Sequence, residues 1–116
     1  MAAATHNLTI EQGATFMLNL VYKDSTGTPI NLSGYSARMQ IRRAYTSPSS
    51  LATFSTENGR IALGTVSGTI EVTGDAALTS ALAAKTAVYD LELVSPVGAV
   101  TRLIRGTVTI TPEVTK

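Results

Sequence analysis

The sequence predicts an all-β fold, two antiparallel sheets packed face to face, and three observations carry that prediction. Between Thr86 and Ile110 the chain alternates as a pleated ribbon does. Ala87, Tyr89, Leu91 and Leu93 share one parity, Val88, Asp90, Glu92 and Val94 the other, and Ser95-Pro96-Val97-Gly98 supplies the reversal before Val100 to Ile110 runs back. Threonine is the commonest residue, with 18 copies, and its β-branched side chain suits a half-buried pleated surface better than a helix. Turn chemistry then recurs at short intervals through the rest of the chain.

Taken in order, residues 1–6 form a flexible arm, and His6 within it has no local group to fix its tautomer, which makes it a solvated side chain. Leu8 and Ile10 alternate with polar neighbours up to Gln12-Gly13, a first strand. Phe16, Leu18, Leu20 and Tyr22 share the inward parity of a second. Asp24-Ser25-Thr26-Gly27 is a turn: its single carboxylate is too few for a calcium loop. Ile30-Asn31-Leu32 leads into a break at Ser33-Gly34. Tyr35, Ala37, Met39 and Ile41 then face inward from a strand whose outer row is basic, through Arg38 and Arg42.

Residues 43–50, with Ser47-Pro48-Ser49-Ser50, lack periodicity and read as an exposed loop. Leu51 to Ser55 and Arg60 to Leu63 are short strands about the turn Glu57-Asn58-Gly59, and Thr69 to Thr73 is another. The one helix is expected over residues 75–84: Asp75 caps it, Leu78 and Leu82 lie four apart on one face, and alanines fill the remainder. At that length it must pack across an end of the sheets, where it carries the chain from one sheet to the other. Leu103 and Ile104 are adjacent apolar residues, and Val108 and Ile110 follow the parity of Ile104, so a β-bulge is expected between Leu103 and Gly106. Seven or eight strands at this spacing make an immunoglobulin-like antiparallel sandwich, with a small closed barrel as the alternative.

With 116 residues the chain makes one domain, placed at 7–112, followed by a tail at 113–116. Hydrophobic residues form 44% of it and charged ones 15%, so uncharged polar side chains must cover much of the exterior. A net charge of +1 gives no footprint for nucleic acid or an anionic membrane. The absence of cysteine removes disulfides, thiol catalysis and Cys-ligated zinc together, and is compatible with a reducing compartment. The first residues lack the basic start and apolar run of a secretory signal, and no later run approaches the length of a membrane-spanning helix.

Side chains with chemical potential read as structural ones. Asp90 and Glu92 share a face, as paired catalytic carboxylates would, but Arg38 and Arg42 form an equivalent row, so cross-strand ion pairing accounts for them. Arg38, Arg42, Arg43, Arg102 and Arg105 are the candidate contact surface, without interleaved aromatics for stacking bases. Two Asn-X-Ser/Thr triplets, at Asn7 and Asn31, read as chance matches. No catalytic, cofactor-binding or metal-binding residue is assigned.

Four segments carry a resemblance. They are Thr9 to Phe16 (TIEQGATF), Asp24 to Tyr35 (DSTGTPINLSGY), Val88 to Leu93 (VYDLEL) and Gly106 to Val114 (GTVTITPEV). Together they resemble small virion proteins of tailed bacteriophages and the immunoglobulin-like N-terminal domain of phage baseplate upper proteins. In the larger baseplate proteins that domain docks to the particle and a receptor-binding or fibre-like extension follows. The resemblance implies a non-enzymatic virion structural protein, a multi-copy accessory component of the tail, baseplate or neck. Its partners would be other phage structural proteins and copies of itself, with assembly in the host cytoplasm and no cofactor, nucleic acid or membrane. A capsid-decorating or cement protein is the alternative, and a glycan-binding module for host attachment a further one, disfavoured because Phe16, Tyr22, Tyr35 and Tyr89 all fall on inward parities.

Overall fold

The computed structural model describes residues 4–83 and 85–114. In chain order these form β1 (Ala4–Thr5), β2 (Leu8–Glu11), β3 (Phe16–Val21), β4 (Ser36–Arg42), β5 (Ala52–Ser55), β6 (Ile61–Leu63), β7 (Thr69–Gly74), α1 (Ala76–Ser80), β8 (Thr86–Val94) and β9 (Val100–Thr111). The larger sheet runs β1-β9-β8-β4-β5, with β2 also on β9, and the smaller runs β3-β7-β6. Assigning β2 to β9 the letters A, B, C, C′, D, E, F and G makes the small sheet B-E-D and the large one G-F-C-C′, the strand order of an immunoglobulin-like sandwich. Of the seven or eight strands expected from alternation, eight are present among the described residues, and β1 is a ninth. α1 makes the crossover from β7 in one sheet to β8 in the other, as expected.

Inward parity and burial coincide. Ala37, Met39 and Ile41 of β4, Leu91 and Leu93 of β8, and Ile70 and Val72 of β7 are each at most 1% exposed. Burying a side chain of this size contributes about 1.5 to 3 kcal/mol, and that set outweighs any single polar contact in the molecule. Phe16 and Phe54 join the sheets through tilted rings 6.1 Å apart.

Four expectations need correction. The larger sheet is mixed and not purely antiparallel, because β1 and β2 both run parallel to β9. That pairing also revises the arm at residues 1–6. Ala4 and Thr5 pair with Ile104 and Arg105, and the His6 amide donates to the Arg105 carbonyl at 2.8 Å; residues 1–3 lie outside the described residues. Gly106 explains the arrangement. A side chain there would run into the His6 carbonyl, so its absence lets the first strand pass against β9. Opposite Gly106, the buried Tyr89 donates its hydroxyl to that carbonyl, and Asn7 Oδ1 accepts from the Thr107 amide at 3.1 Å.

The helix expected over 75–84 is one turn and a half, Ala76–Ser80, and residue 84 lies outside the described residues. Asp75 caps it as foreseen, accepting from the Leu78 amide at 2.9 Å. It stops because the Ala81 and Leu82 amides reach back only three residues, which tightens the last turn and drops Leu82 into the core at 2% exposure. The buried Thr79 ties α1 to the β2–β3 turn: its hydroxyl donates to the Ala14 carbonyl at 2.8 Å and accepts from the Gly13 amide at 3.1 Å. The supposed tail begins attached, since the Glu113 amide donates to Gln12 Oε1 at 3.1 Å, while residues 115 and 116 lie outside the described residues.

Candidate functional site

The five arginines do not form a basic patch. Arg38 and Arg42 stand on the outer face of β4 and Arg102 and Arg105 on that of β9, with Asp90 and Glu92 of β8 between the two rows. Arg43 lies beyond the end of β4 in the following loop. The face is therefore striped positive, negative, positive. Arg38 Nε meets Glu92 Oε1 at 2.8 Å, and Arg102 reaches Asp90 at 3.2 Å and Glu92 at 3.5 Å. Arg42 donates instead to Gln40 Oε1 at 2.8 Å and the Ser47 carbonyl at 2.9 Å. Among the described residues Arg43 and Arg105 make no ion pair.

The expected bulge builds this pattern. Leu91 pairs with Ile104 but Glu92 pairs with Arg102, which leaves Leu103 as the extra residue. Without that insertion Arg102 and Arg105 would point to opposite faces. Burial, with the Glu92 charge adding to it, pushes the Asp90 carboxyl above its ordinary range against the pull of Arg102, Arg38 and Arg42. Asp90 and Glu92 thus act on their arginine neighbours, in the cross-strand pairing that the sequence suggested.

The sides of the sandwich differ more than its faces. β5 ends the large sheet, and two of its outward backbone groups are already taken. The Ser55 amide donates to Asn58 Oδ1 at 3.0 Å, and the Thr53 carbonyl accepts from Asn58 Nδ2 at 3.0 Å and Arg60 Nη1 at 3.2 Å. Next to it β6, the edge of the small sheet, is three residues long. Such capping and shortness are how an edge is kept from pairing further.

On the opposite side β1 and β2 are also short, but β3 is six residues long and, among the described residues, carries no side-chain cap on its outward backbone. Among the described residues β3 pairs with β7 alone. The Tyr22 amide donates to the Gly68 carbonyl, and Thr73 and Gly64 donate to Arg60 and Thr69, which fixes the parity of both strands. Phe16, Leu18 and Leu20 bond to β7, so Met17, Asn19 and Val21 turn their amides and carbonyls away from the sheet. On the neighbouring edge β2 likewise turns Thr9 outward, because the bonds of His6 and Gln12 to β9 set its even residues inward. Between the end of β3 and the start of β9, beside β1, lies a largely apolar groove of about 350 Å³, lined by Ala4, Leu20, Val21, Tyr22, Leu103 and Ile104 together with Lys23, Thr101 and Arg102. Leu18 and Leu20 have inward parity yet remain half-buried, because the three-stranded sheet is too narrow to cover the large one here.

Tyr45 was not singled out by alternation, since it sits in the aperiodic loop. It is 71% exposed beside a depression of about 240 Å³ lined also by Gln40, Arg42, Val88, Asp90 and Glu92. Its loop position was the signal that could have marked it, because an aromatic outside the strand alternation is not committed to the core.

Among the described residues no helix is long and apolar enough to cross a membrane, and no group of three or more His, Cys, Asp or Glu side chains could hold a metal ion. No protein-family model matches the chain, and no curated protein matches it as a relative.

Proposed function

We propose that this chain is a non-enzymatic structural protein of a tailed-bacteriophage particle, a multi-copy accessory component of the tail, baseplate or neck that works by docking onto other particle proteins. One observation carries the docking part of the reading: among the described residues the edge of β3 is unpaired beside a largely apolar groove, on one side of a sandwich whose other side is partly capped. A free edge offers a row of backbone donors and acceptors to a partner strand, and the groove offers pockets for its side chains. The particle assignment rests on the four resembling segments. The striped face of β4, β8 and β9 supports it in a secondary way, because Asp90 and Glu92 already pair with Arg38 and Arg102 and leave Arg42 and Arg105 to meet a neighbour.

Quantitative mass spectrometry of purified particles tests the reading and separates its forms. Copy numbers in the tens fit the tail, baseplate or neck, numbers in the hundreds fit the capsid-decorating alternative, and absence from the particle ends the proposal. A second reading, the glycan-binding module, gains from Tyr45 beside Gln40, Arg42 and Asp90, an exposed ring next to polar groups on which a sugar could stack. Calorimetric titration against host-surface oligosaccharides decides it, and heat that survives Tyr45→Ala removes the site.

A further inference from the structure

The free edge of β3 is symmetric about its own centre. Asn19 is flanked by Leu18 and Leu20, then by Met17 and Val21, then by the aromatics Phe16 and Tyr22. Antiparallel pairing places residues of constant summed number opposite one another, and residues whose backbone groups point outward form the hydrogen-bonded pairs. Met17, Asn19 and Val21 are those residues.

From this we infer that the partner at this edge is a second copy of the same chain, joined about a two-fold axis through Asn19. This deepens the docking reading by naming its partner, and it does not depend on the particle assignment. In that register Asn19 meets Asn19 of the second copy, and Met17 meets Val21 of the second copy. Leu18 meets Leu20 of the second copy on the face turned toward the groove. Every pair matches in kind: amide with amide, aliphatic with aliphatic, and no charge lies opposite a like charge. The pairing continues β6-β7-β3 into a six-stranded sheet across the axis. It also removes exposed apolar surface, because Met17 is 60% and Val21 48% exposed and the half-buried Leu18 and Leu20 gain the cover that the narrow sheet does not give them. A two-fold contact uses the same patch on both subunits, so a palindromic edge is the sequence form it requires. An unrelated strand could also add here, but nothing would then relate Met17 to Val21 or Leu18 to Leu20.

Sedimentation equilibrium of the full chain tests the inference, with an expected mass of twice the monomer. Asn19 is exposed, so Asn19→Lys leaves the core untouched while setting two ammonium groups opposite each other on the axis. The dimer is then lost with circular dichroism unchanged, and mixing Asn19→Lys with Asn19→Asp restores a dimer containing one of each. Asn19→Cys introduces the chain's sole thiol, and Cα atoms about 5.5 Å apart in a hydrogen-bonded pair permit a disulfide. Mild oxidation is expected to convert it to a covalent dimer, while Thr53→Cys on the capped edge forms no covalent dimer. A wild-type chain that is monomeric at every concentration, or an Asn19→Lys variant that remains dimeric, overturns the inference. Monomers found in purified particles would overturn the inference and leave the docking reading standing, while a chain dimeric in solution but absent from particles would leave the inference standing without that reading.

Discussion

On the β5 and β6 side of the sandwich, Asn58 and Arg60 occupy the amide of Ser55 and the carbonyl of Thr53, and the neighbouring strand is only three residues long. On the β2 and β3 side, six residues of β3 keep one row of backbone groups unpaired above an apolar groove. The two sides belong to the same pair of sheets, so the difference comes from what lies beside each edge. A strand followed by the Asx turn at Asn58 has its own cap supplied, whereas β3 loses its possible cover because the first strand goes to β9 instead. The teaching is that edge protection here is local and selective, which makes the unprotected side the one to probe.

The largest contrast should come from the cores on the two sides. Phe54, on β5, is fully buried against Phe16, and Phe54→Ala is expected to cost about 3 to 5 kcal/mol in urea unfolding. Leu20→Ala, on the open side, should cost about 2 kcal/mol or less, because its side chain is only half removed from water. Equal costs would mean that the groove is closed in solution. Next in size is Asn58→Ala, which strips the cap from β5 and leaves the Ser55 amide unsatisfied, at about 1 to 2 kcal/mol. The same variant is expected to associate with rising concentration in light scattering, since it turns the capped side into a second free edge.

Tyr89→Phe should cost about 1 kcal/mol by freeing the His6 carbonyl, and faster amide exchange at His6 would report the loosened first strand. Burial pushes the Tyr89 hydroxyl up to about 12 from 10.0. Its contribution is therefore complete below the unfolded value and is lost as pH rises between the two, since the unfolded chain releases the proton first. Stability of the wild-type chain is expected to fall more steeply than that of Tyr89→Phe between pH 10 and 12 in alkaline unfolding. The smallest effect belongs to the striped face: Arg102→Ala, half-exposed and paired with Asp90 and Glu92, should cost less than about 1 kcal/mol in the same urea assay.

The sandwich was legible because its information is carried by parity. Leu91 and Leu93 face in and Glu92 faces out whatever pairs with them, and the parity break at Leu103 announced its bulge. The parallel path of the first strand was not legible, because it depends on a Gly106 that leaves space for His6 a hundred residues earlier in the chain. The helix was overextended for a related reason: Leu82 keeps its apolar spacing from Leu78 but reaches the core by a tightened turn. Of the candidate surface, the arginine rows were readable and their pairing with Asp90 and Glu92 was anticipated, as was docking at exposed sheet edges, while which edge stays open was not. Which edge stays free depends on strand order in two sheets, and alternation within a strand says nothing about its neighbours.

Residue-resolved hydrogen exchange, recorded on the full chain at low and at high concentration, is the direct test of the unequal sides. The amides of Met17, Asn19 and Val21 are expected to exchange fast in dilute solution and to become protected as concentration rises, while the Ser55 amide, held by Asn58, is protected throughout. Slow exchange at Met17, Asn19 and Val21 in dilute monomer, or exchange at Ser55 as fast as theirs, would contradict the account.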